Sequence, residues 1–452
     1  MFPATTYQSR RTALKQNLAN QGLILLLGNA ESPRRFPHDT YKFHQDSSFL
    51  YFFGIDEPGL AAIIDTDSGA EILFGDDAHP DSVIWTGPMP PFAETAARVG
   101  ITAMRPTAEL SSALRTDRPI HTLPHYRAEH LQRLPENQQP SEALVRAIVA
   151  LRAYKTAEEI EQIEIAIGIS HAVHTAAMRL TAPGRKEYEI VAEVEGICHG
   201  FGSTNSFNTI FSRRGEILHN PNHHNTLEDG DIVVHDSGAE SPEHYASDIT
   251  RTIPVNGKFD SRQRDIYQIV LDSQQAAIDM LAPGTPFRDL HAASGRVILA
   301  GLAEFGIVTG DIDEALAANA HTLFFPCGLG HMMGLEVHDM EGLGEDLVGY
   351  DEEFLRDPVF GWRSLRLGRR LEPDWVVTVE PGIYFNGLLA DRWRAEKTCV
   401  DHIDFDAFNQ FRDFGGVRLE DDFVITQDGY RLLGEPIPRG IEEVEATCAS
   451  AV

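Results

Sequence analysis

Four short segments in the second half of the chain constrain its fold more than any other feature. They are HDSGAE…ASDITRT (His235 to Thr252), GLGHMMGLEVHD (328–339), VTVEPGIY (377–384) and GGVRLEDD (415–422). Each sets a carboxylate or an imidazole in or beside an apolar, strand-like or glycine-rich run. Together they offer Asp236, Asp248, His331, Glu380 and Glu420, four carboxylates against one histidine. Period-two alternation lets residues far apart in sequence point at one spot from paired strands. An oxygen-rich set of this kind selects hard divalent ions such as Mn²⁺, whereas structural zinc prefers Cys and His. Four carboxylates clustered without cations would repel and raise each other's pKa, so two metal ions are the natural compensation.

Each residue also has a plainer reading. Asp236 and Asp248 flank a predicted hairpin with Ser241-Pro242-Glu243-His244 at its turn, and a single Asp at a strand end is commonly a turn residue. Glu420, followed by Asp421 and Asp422, taken alone reads as an exposed acidic run. His331 is framed by Gly328 and Gly330, which let backbone approach a metal closely, rather than by packing aliphatics. His338, seven residues on, is placed to serve as a donor facing substrate or a ligand. The set as a whole favours the metal site over the sum of the plain readings.

At 452 residues the chain is too long for one ordinary core. A formal charge of −30 excludes nucleic acid and anionic membrane surfaces as partners. Leu23–Leu27 is the longest apolar run near the N-terminus, far too short to span a bilayer, and reads as a buried strand. The four cysteines share no CxxC spacing, which predicts reduced thiols in the cytoplasm. Cys327, four residues before His331, reads as a small buried residue. Strand-like runs at Leu23–Leu27, 49–53, 61–64 and Glu71–Phe74 predict an N-terminal α/β domain over residues 1–150. Residues 133–140 form a polar, Pro-bounded linker, 141–152 a short helix, and a second domain spans 155–445. That domain begins at a capping box, Thr156 with Glu159, and Ile160, Ile163 and Ile167 follow on one helical face. Ala182-Pro183-Gly184 recurs as Ala282-Pro283-Gly284, each after a helical stretch and before another, with strands following. The strand 231–234 leading to Asp236 likewise matches 374–377 leading to Glu380, so a duplicated α-α-β-β half is expected.

These segments resemble the metallopeptidase family with the creatinase, or "pita-bread", fold, and within it aminopeptidase P and prolidase. The resemblance covers almost the whole chain. Residues 155–440 match the catalytic domain motif by motif, and Phe43-His44-Gln45-Asp46 with Tyr51-Phe52-Phe53-Gly54 is similar to the family's N-terminal domain. It implies an α/β (α+β) fold in which a creatinase-like N-terminal domain precedes a pita-bread catalytic domain with pseudo-twofold duplicated halves. It also implies a dinuclear centre: Asp236 and Asp248 on one ion, Asp248 bridging to a second, His331 and Glu380 on that second ion, and Glu420 bridging both. Glu380 would carry protons, and His219 and His338 would contact substrate and transition state. Trp362-Arg363-Ser364-Leu365-Arg366 is similar to a prolidase stretch whose last Arg clamps a dipeptide carboxylate, a role suited to guanidinium geometry. Two departures stand out. Asp236 and Asp248 are twelve positions apart where the family has eleven, and His44 stands where relatives carry Arg.

The activity implied is that of an Xaa-Pro aminopeptidase, acting on peptides with proline second; the alternative is an Xaa-Pro dipeptidase. Proline's amide lacks an N–H and its φ is fixed, so such bonds need a dedicated enzyme. Methionine aminopeptidase fits less well given the long N-terminal domain. A catalytically inactive pita-bread binding module fits poorly, because all five ligands are kept. The ions implied are Mn²⁺, with Co²⁺ or Zn²⁺ as alternatives, in a cytoplasmic homodimer with neither nucleic acid nor membrane as partner.

Overall fold

The run Leu23–Leu27 (β1) is buried along its whole length and becomes an interior strand of a five-stranded mixed sheet. Its neighbours are Ala61–Asp65 (β2), Glu71–Phe74 (β3), Ala103–Arg105 (β4) and Ile120–His121 (β5), in the order β4-β3-β2-β1-β5. β1 runs antiparallel to β2 and parallel to β5. A computed structural model describes residues 1–450 and divides the chain into two units, 1–153 with 340–348, and 154–339 with the chain from Gly349 onward.

One strand expected in the first unit is instead a helix. Residues 49–53 lie within the helix Ser47–Phe53, whose seven side chains are all buried. A short run that is apolar on every side carries no period to separate strand from helix, and the ends decide. Asp46 caps the first turn by accepting from the Phe49 N–H at 2.9 Å, and Gly54 closes the last at φ 61°.

The second unit repeats itself. Helices Ala157–Leu180 and Glu187–Gly200 precede strands Ile210–Ser212 (β6), Ile232–Ser237 (β7) and Ile249–Pro254 (β8). Helices Ser261–Ile278 and Phe287–Glu304 precede Val376–Val379 (β9), Gly382–Tyr384 (β10), Gly416–Arg418 (β11), Asp421–Ile425 (β12) and Tyr430–Leu432 (β13). The predicted capping box is present at Thr156, and Ile163 and Ile167 are buried behind it. At the two Ala-Pro-Gly turns, Gly184 (φ 88°) donates to the Leu227 carbonyl and Gly284 (φ 84°) to that of Leu371, both at 2.8 Å. Two residues on, Lys186 bridges Thr226 and Pro286 bridges Arg370. The same connection is thus made twice, a hundred residues apart, and the duplication extends from sequence to hydrogen bonding. The strands form sheets β6-β7-β8, β13-β12-β9 and β10-β11, and a bridge from Thr250 to Glu420 links the first to the segment after β11. Among the described residues, no helix is long and apolar enough to cross a membrane.

Candidate metal centre

The hairpin β7–β8 sets two of the carboxylates. Its register runs unbroken from Asp236 opposite Thr250 to the bridge between Glu240 and Ala246, and the chain reverses between Ser241 and Tyr245. Asp236, Thr250 and Asp248 therefore share one face, and the twelve-position step is taken up in the turn, where His244 adopts φ 66°. Glu420 lies alongside β8: its N–H donates to the Thr250 carbonyl at 3.0 Å, and the Thr250 hydroxyl donates to its Oε2 at 2.8 Å.

The other two residues come from β9 and the glycine-rich loop paired with it. The Glu380 N–H donates to the Leu329 carbonyl at 2.7 Å, the Thr378 N–H to that of His331 at 3.0 Å, and the His331 N–H to the Thr378 hydroxyl at 3.2 Å. His331 Nδ1 lies 3.0 Å from the Met332 carbonyl, an acceptor only, so Nδ1 carries the proton. Nε2 is then an acceptor aimed at the carboxylates, 3.4 Å from Asp248 Oδ2 and 3.6 Å from Glu380 Oε1. The close pairing depends on Gly330, where a Cβ would stand 2.1 Å from the Thr378 carbonyl oxygen. Gly330→Ala is expected to push His331 away and weaken metal binding by about 10–100-fold while the chain stays folded. Metal titration by calorimetry, with circular dichroism as the folding control, checks this.

One ligand atom each from Asp248, His331 and Glu420 lie within 4.8 Å of one another, and all three residues are buried. Asp236, also buried, lies close enough to raise the pKa of Asp248, and Glu380 is partly exposed at its side. Asp236 Oδ1, Asp248 Oδ1 and Glu420 Oε1 are buried with no hydrogen-bond partner. Burial, then the charge of Asp236, pushes the Asp248 carboxyl up to about 8. Burial, then Asp248, pushes Glu380 up to about 8, and burial with both neighbours drives Glu420 well above the carboxylate range. Orphaned carboxylate oxygens around one imidazole nitrogen fit divalent cations, which supply the positive charge the cluster lacks. Glu420, Asp421 and Asp422 are buried rather than an exposed acidic run: Asp422 accepts from the Asp248 N–H at 3.1 Å, and Asp421 pairs with Arg251 at 2.6 Å.

The remaining predicted residues gather at the same place. The His338 ring stands 4.4 Å from that of His331 at 72°. His219 is exposed, yet partial enclosure and then Arg418 lower its pKa, with Asp236, Arg366 and His338 also close enough to act on it. Arg366 also lowers the pKa of Glu380. Cys327 has its thiol pushed up to about 12 by burial and then by Glu380, and it lies 3.9 Å from the Tyr384 hydroxyl.

Sequence reasoning missed Arg418. Its Nη2 donates to Asp236 Oδ2 at 2.5 Å, its Nη1 to the Tyr384 hydroxyl at 2.9 Å and its Nε to the Thr250 hydroxyl at 3.1 Å. The available signal was spacing: two residues before Glu420 in a strand-like run is the same face. Lys155 was likewise overlooked; its buried Nζ sits 3.0 Å from Asp339 Oδ2 and ties down the loop that carries His338.

A duplicated catalytic unit with a carboxylate–histidine cluster at its sheets, preceded by a separate α/β unit, defines a metallopeptidase architecture. Residues 161–427 match metallopeptidase family M24 and residues 7–119 match the aminopeptidase P N-terminal domain; the chain belongs to family M24. It is 34% identical to the Xaa-Pro dipeptidase of Homo sapiens, over 96% of this chain and 91% of that protein. It is 30% identical to the Xaa-Pro aminopeptidase of Escherichia coli strain K12, over 98% of each. Among solved structures it is similar to E. coli aminopeptidase P with the inhibitor Pro-Leu, with a TM-score of 0.81 and 30% identity over 99% of this chain and 98% of that one. Membership of family M24 implies divalent metal ions.

Proposed function

We propose that the chain is an Xaa-Pro aminopeptidase, a metallo-exopeptidase that hydrolyses the bond between an N-terminal residue and proline. The observation that carries this reading is the buried cluster of Asp248, His331 and Glu420, flanked by Asp236 and Glu380, in a chain whose relatives are Xaa-Pro peptidases. Asp236 and Asp248 would hold one divalent ion; Asp248 and Glu420 would be shared with a second that His331 and Glu380 complete. The oxygen-rich donor set supports Mn²⁺, with Co²⁺ or Zn²⁺ as alternatives. Bound there, such ions polarise the scissile carbonyl and activate the attacking water. Glu380, the most exposed of the four carboxylates, takes a proton from the attacking side and returns it to the proline nitrogen as that bond breaks. His219 and His338 donate hydrogen bonds to the carbonyl oxygen as negative charge develops on it. Arg418 holds Asp236 in place through its guanidinium hydrogen bond.

One observation favours a second reading, an Xaa-Pro dipeptidase. Arg366 lies close enough to act on both Glu380 and His219, where it would meet the carboxylate of a substrate ending in proline. Hydrolysis of Gly-Pro beside Gly-Pro-Xaa peptides by the Mn²⁺-loaded enzyme separates the two. Preference for the longer peptides with release of glycine is expected of the aminopeptidase. Cleavage of the dipeptide alone favours the second reading, and cleavage of neither overturns both.

Two further features belong to this reading. Val83, Ile84, Trp85 and Met89 expose an apolar surface on the N-terminal unit, Trp85 by 85%, which a second copy in a homodimer would cover. Light scattering that gives a monomer at micromolar concentration would count against it. Four cysteines far apart in sequence and without CxxC spacing support a reducing, cytoplasmic compartment.

A further inference from the structure

Away from the carboxylates, two histidines of the catalytic unit are fully buried with nothing to hydrogen-bond. His291, on the helix Phe287–Glu304, and His321 have no exposed surface, and all four of their ring nitrogens lack a partner. Burial keeps both neutral, bringing His321 down to about 4 and, with the neighbouring His321 adding to it, holding His291 well below the usual imidazole range. Orphaned buried polar atoms ask for a reason. Here the rings serve as walls. Trp362 packs edge-on against both, 4.7 Å from His291 at 70° and 5.6 Å from His321 at 80°, and Phe325 closes the His291 side at 4.9 Å. The indole N–H is directed by Asn319, whose Oδ1 accepts it at 2.7 Å from a residue in the left-handed region. Arg288 stands over the same indole at 5.8 Å.

Trp362 opens the short turn Trp362–Ser364, which closes at Leu365 just before Arg366. Within that turn the Ser364 N–H donates to the Gly361 carbonyl and the Leu365 N–H to that of Trp362, both at 3.0 Å. Leu365 is buried, and its own carbonyl accepts from the Tyr350 hydroxyl at 2.6 Å. These bonds fix the backbone from Trp362 to Leu365, the residue before Arg366. We propose that Trp362, plugged into the His291–His321 box, is a positioning residue for Arg366 and thereby sets the preference for substrates with a free carboxylate on the proline. This rests on the second reading above, that of an Xaa-Pro dipeptidase in which Arg366 meets that carboxylate.

The test compares kcat and KM for Gly-Pro and for Gly-Pro amide, which lacks the carboxylate, with Mn²⁺-loaded enzyme of verified metal content. Trp362→Leu is expected to raise KM for Gly-Pro about tenfold with kcat little changed, and to leave the amide unaffected. Trp362→Phe, a ring in the same seat, should fall between. His291→Ala, which opens the box, should reproduce Trp362→Leu, while His291→Phe, which keeps a ring and drops the orphaned nitrogens, should match the parent. Equal losses on both substrates, or a His291→Phe variant as impaired as His291→Ala, would overturn the proposal. Arg366→Met run alongside locates any failure. If it treats both substrates alike, the carboxylate reading falls and the proposal with it. If it discriminates while Trp362→Leu does not, only the positioning role of Trp362 is lost.

Discussion

Asp248→Asn is expected to lower kcat/KM on the order of 10³-fold or more, because on the proposed reading the several kcal/mol that paired Lewis acids would supply depend on this residue. The substitution keeps the shape of the side chain and removes its charge. Asp248 sits where the neighbours converge: its Oδ2 is 3.4 Å from His331 Nε2, its Oδ1 has no partner, and its carboxyl raises those of Glu380 and Glu420. Metal content should fall from two equivalents to one or none, read by elemental analysis after dialysis. The metal-free variant should be no less stable than the metal-free parent, since a buried carboxyl whose ionisation burial and Asp236 oppose has gone. A variant that keeps two equivalents and a rate within tenfold of the parent would sink the bridging role. A variant that loses stability without metal would mark Asp248 as structural.

Chelation is expected to lower Tm by about 10 °C at pH 8. Two ions each present at about a hundredfold their Kd contribute roughly 5 kcal/mol together, and about 2 °C accompanies each kcal/mol in a unit of this size. The effect should depend on pH in a definite direction. In the metal-free chain the carboxyls of Asp248 and Glu380 titrate near 8, against roughly 4 in the unfolded chain. Between those values the folded state holds more protons than the unfolded one, so metal-free stability falls as pH rises from about 4 to 8. Bound cations keep the same carboxylates ionised and remove that slope, so the gap in Tm between loaded and chelated protein should widen with pH. Differential scanning calorimetry at pH 6 and 8, with and without chelator, measures it; a gap that narrows toward pH 8 would contradict the account.

Much of this centre could be read from the chain before any folding was considered. Asp236 with Asp248, His331, Glu380 and Glu420 each lie in a segment whose local pattern announces a strand end or a glycine-framed loop, and those segments converge. The repeated Ala-Pro-Gly turns foretold the duplication because a left-handed glycine after proline is a local requirement, met at Gly184 and again at Gly284. Where local pattern carried no information, the reading failed. The run 49–53 has no polar face, and only Asp46 and Gly54, as caps, separate helix from strand.

Composition, charge and the order of the chemical motifs thus belong to the sequence alone, because each depends on neighbours within a few positions. Tertiary structure decided what depends on partners far along the chain. The acidic run 420–422 turned inward because Thr250, Arg251 and the Asp248 amide, some 170 residues earlier, supply its hydrogen bonds. Arg418 became part of the centre because Asp236 and Tyr384 come to meet it. The helix bearing His291 and the loops bearing His321 and Trp362 form their box only once packed, since no local period relates residues 291, 321 and 362. Burial and electrostatic coupling are properties of three-dimensional neighbourhoods, and a linear chain specifies them only by folding.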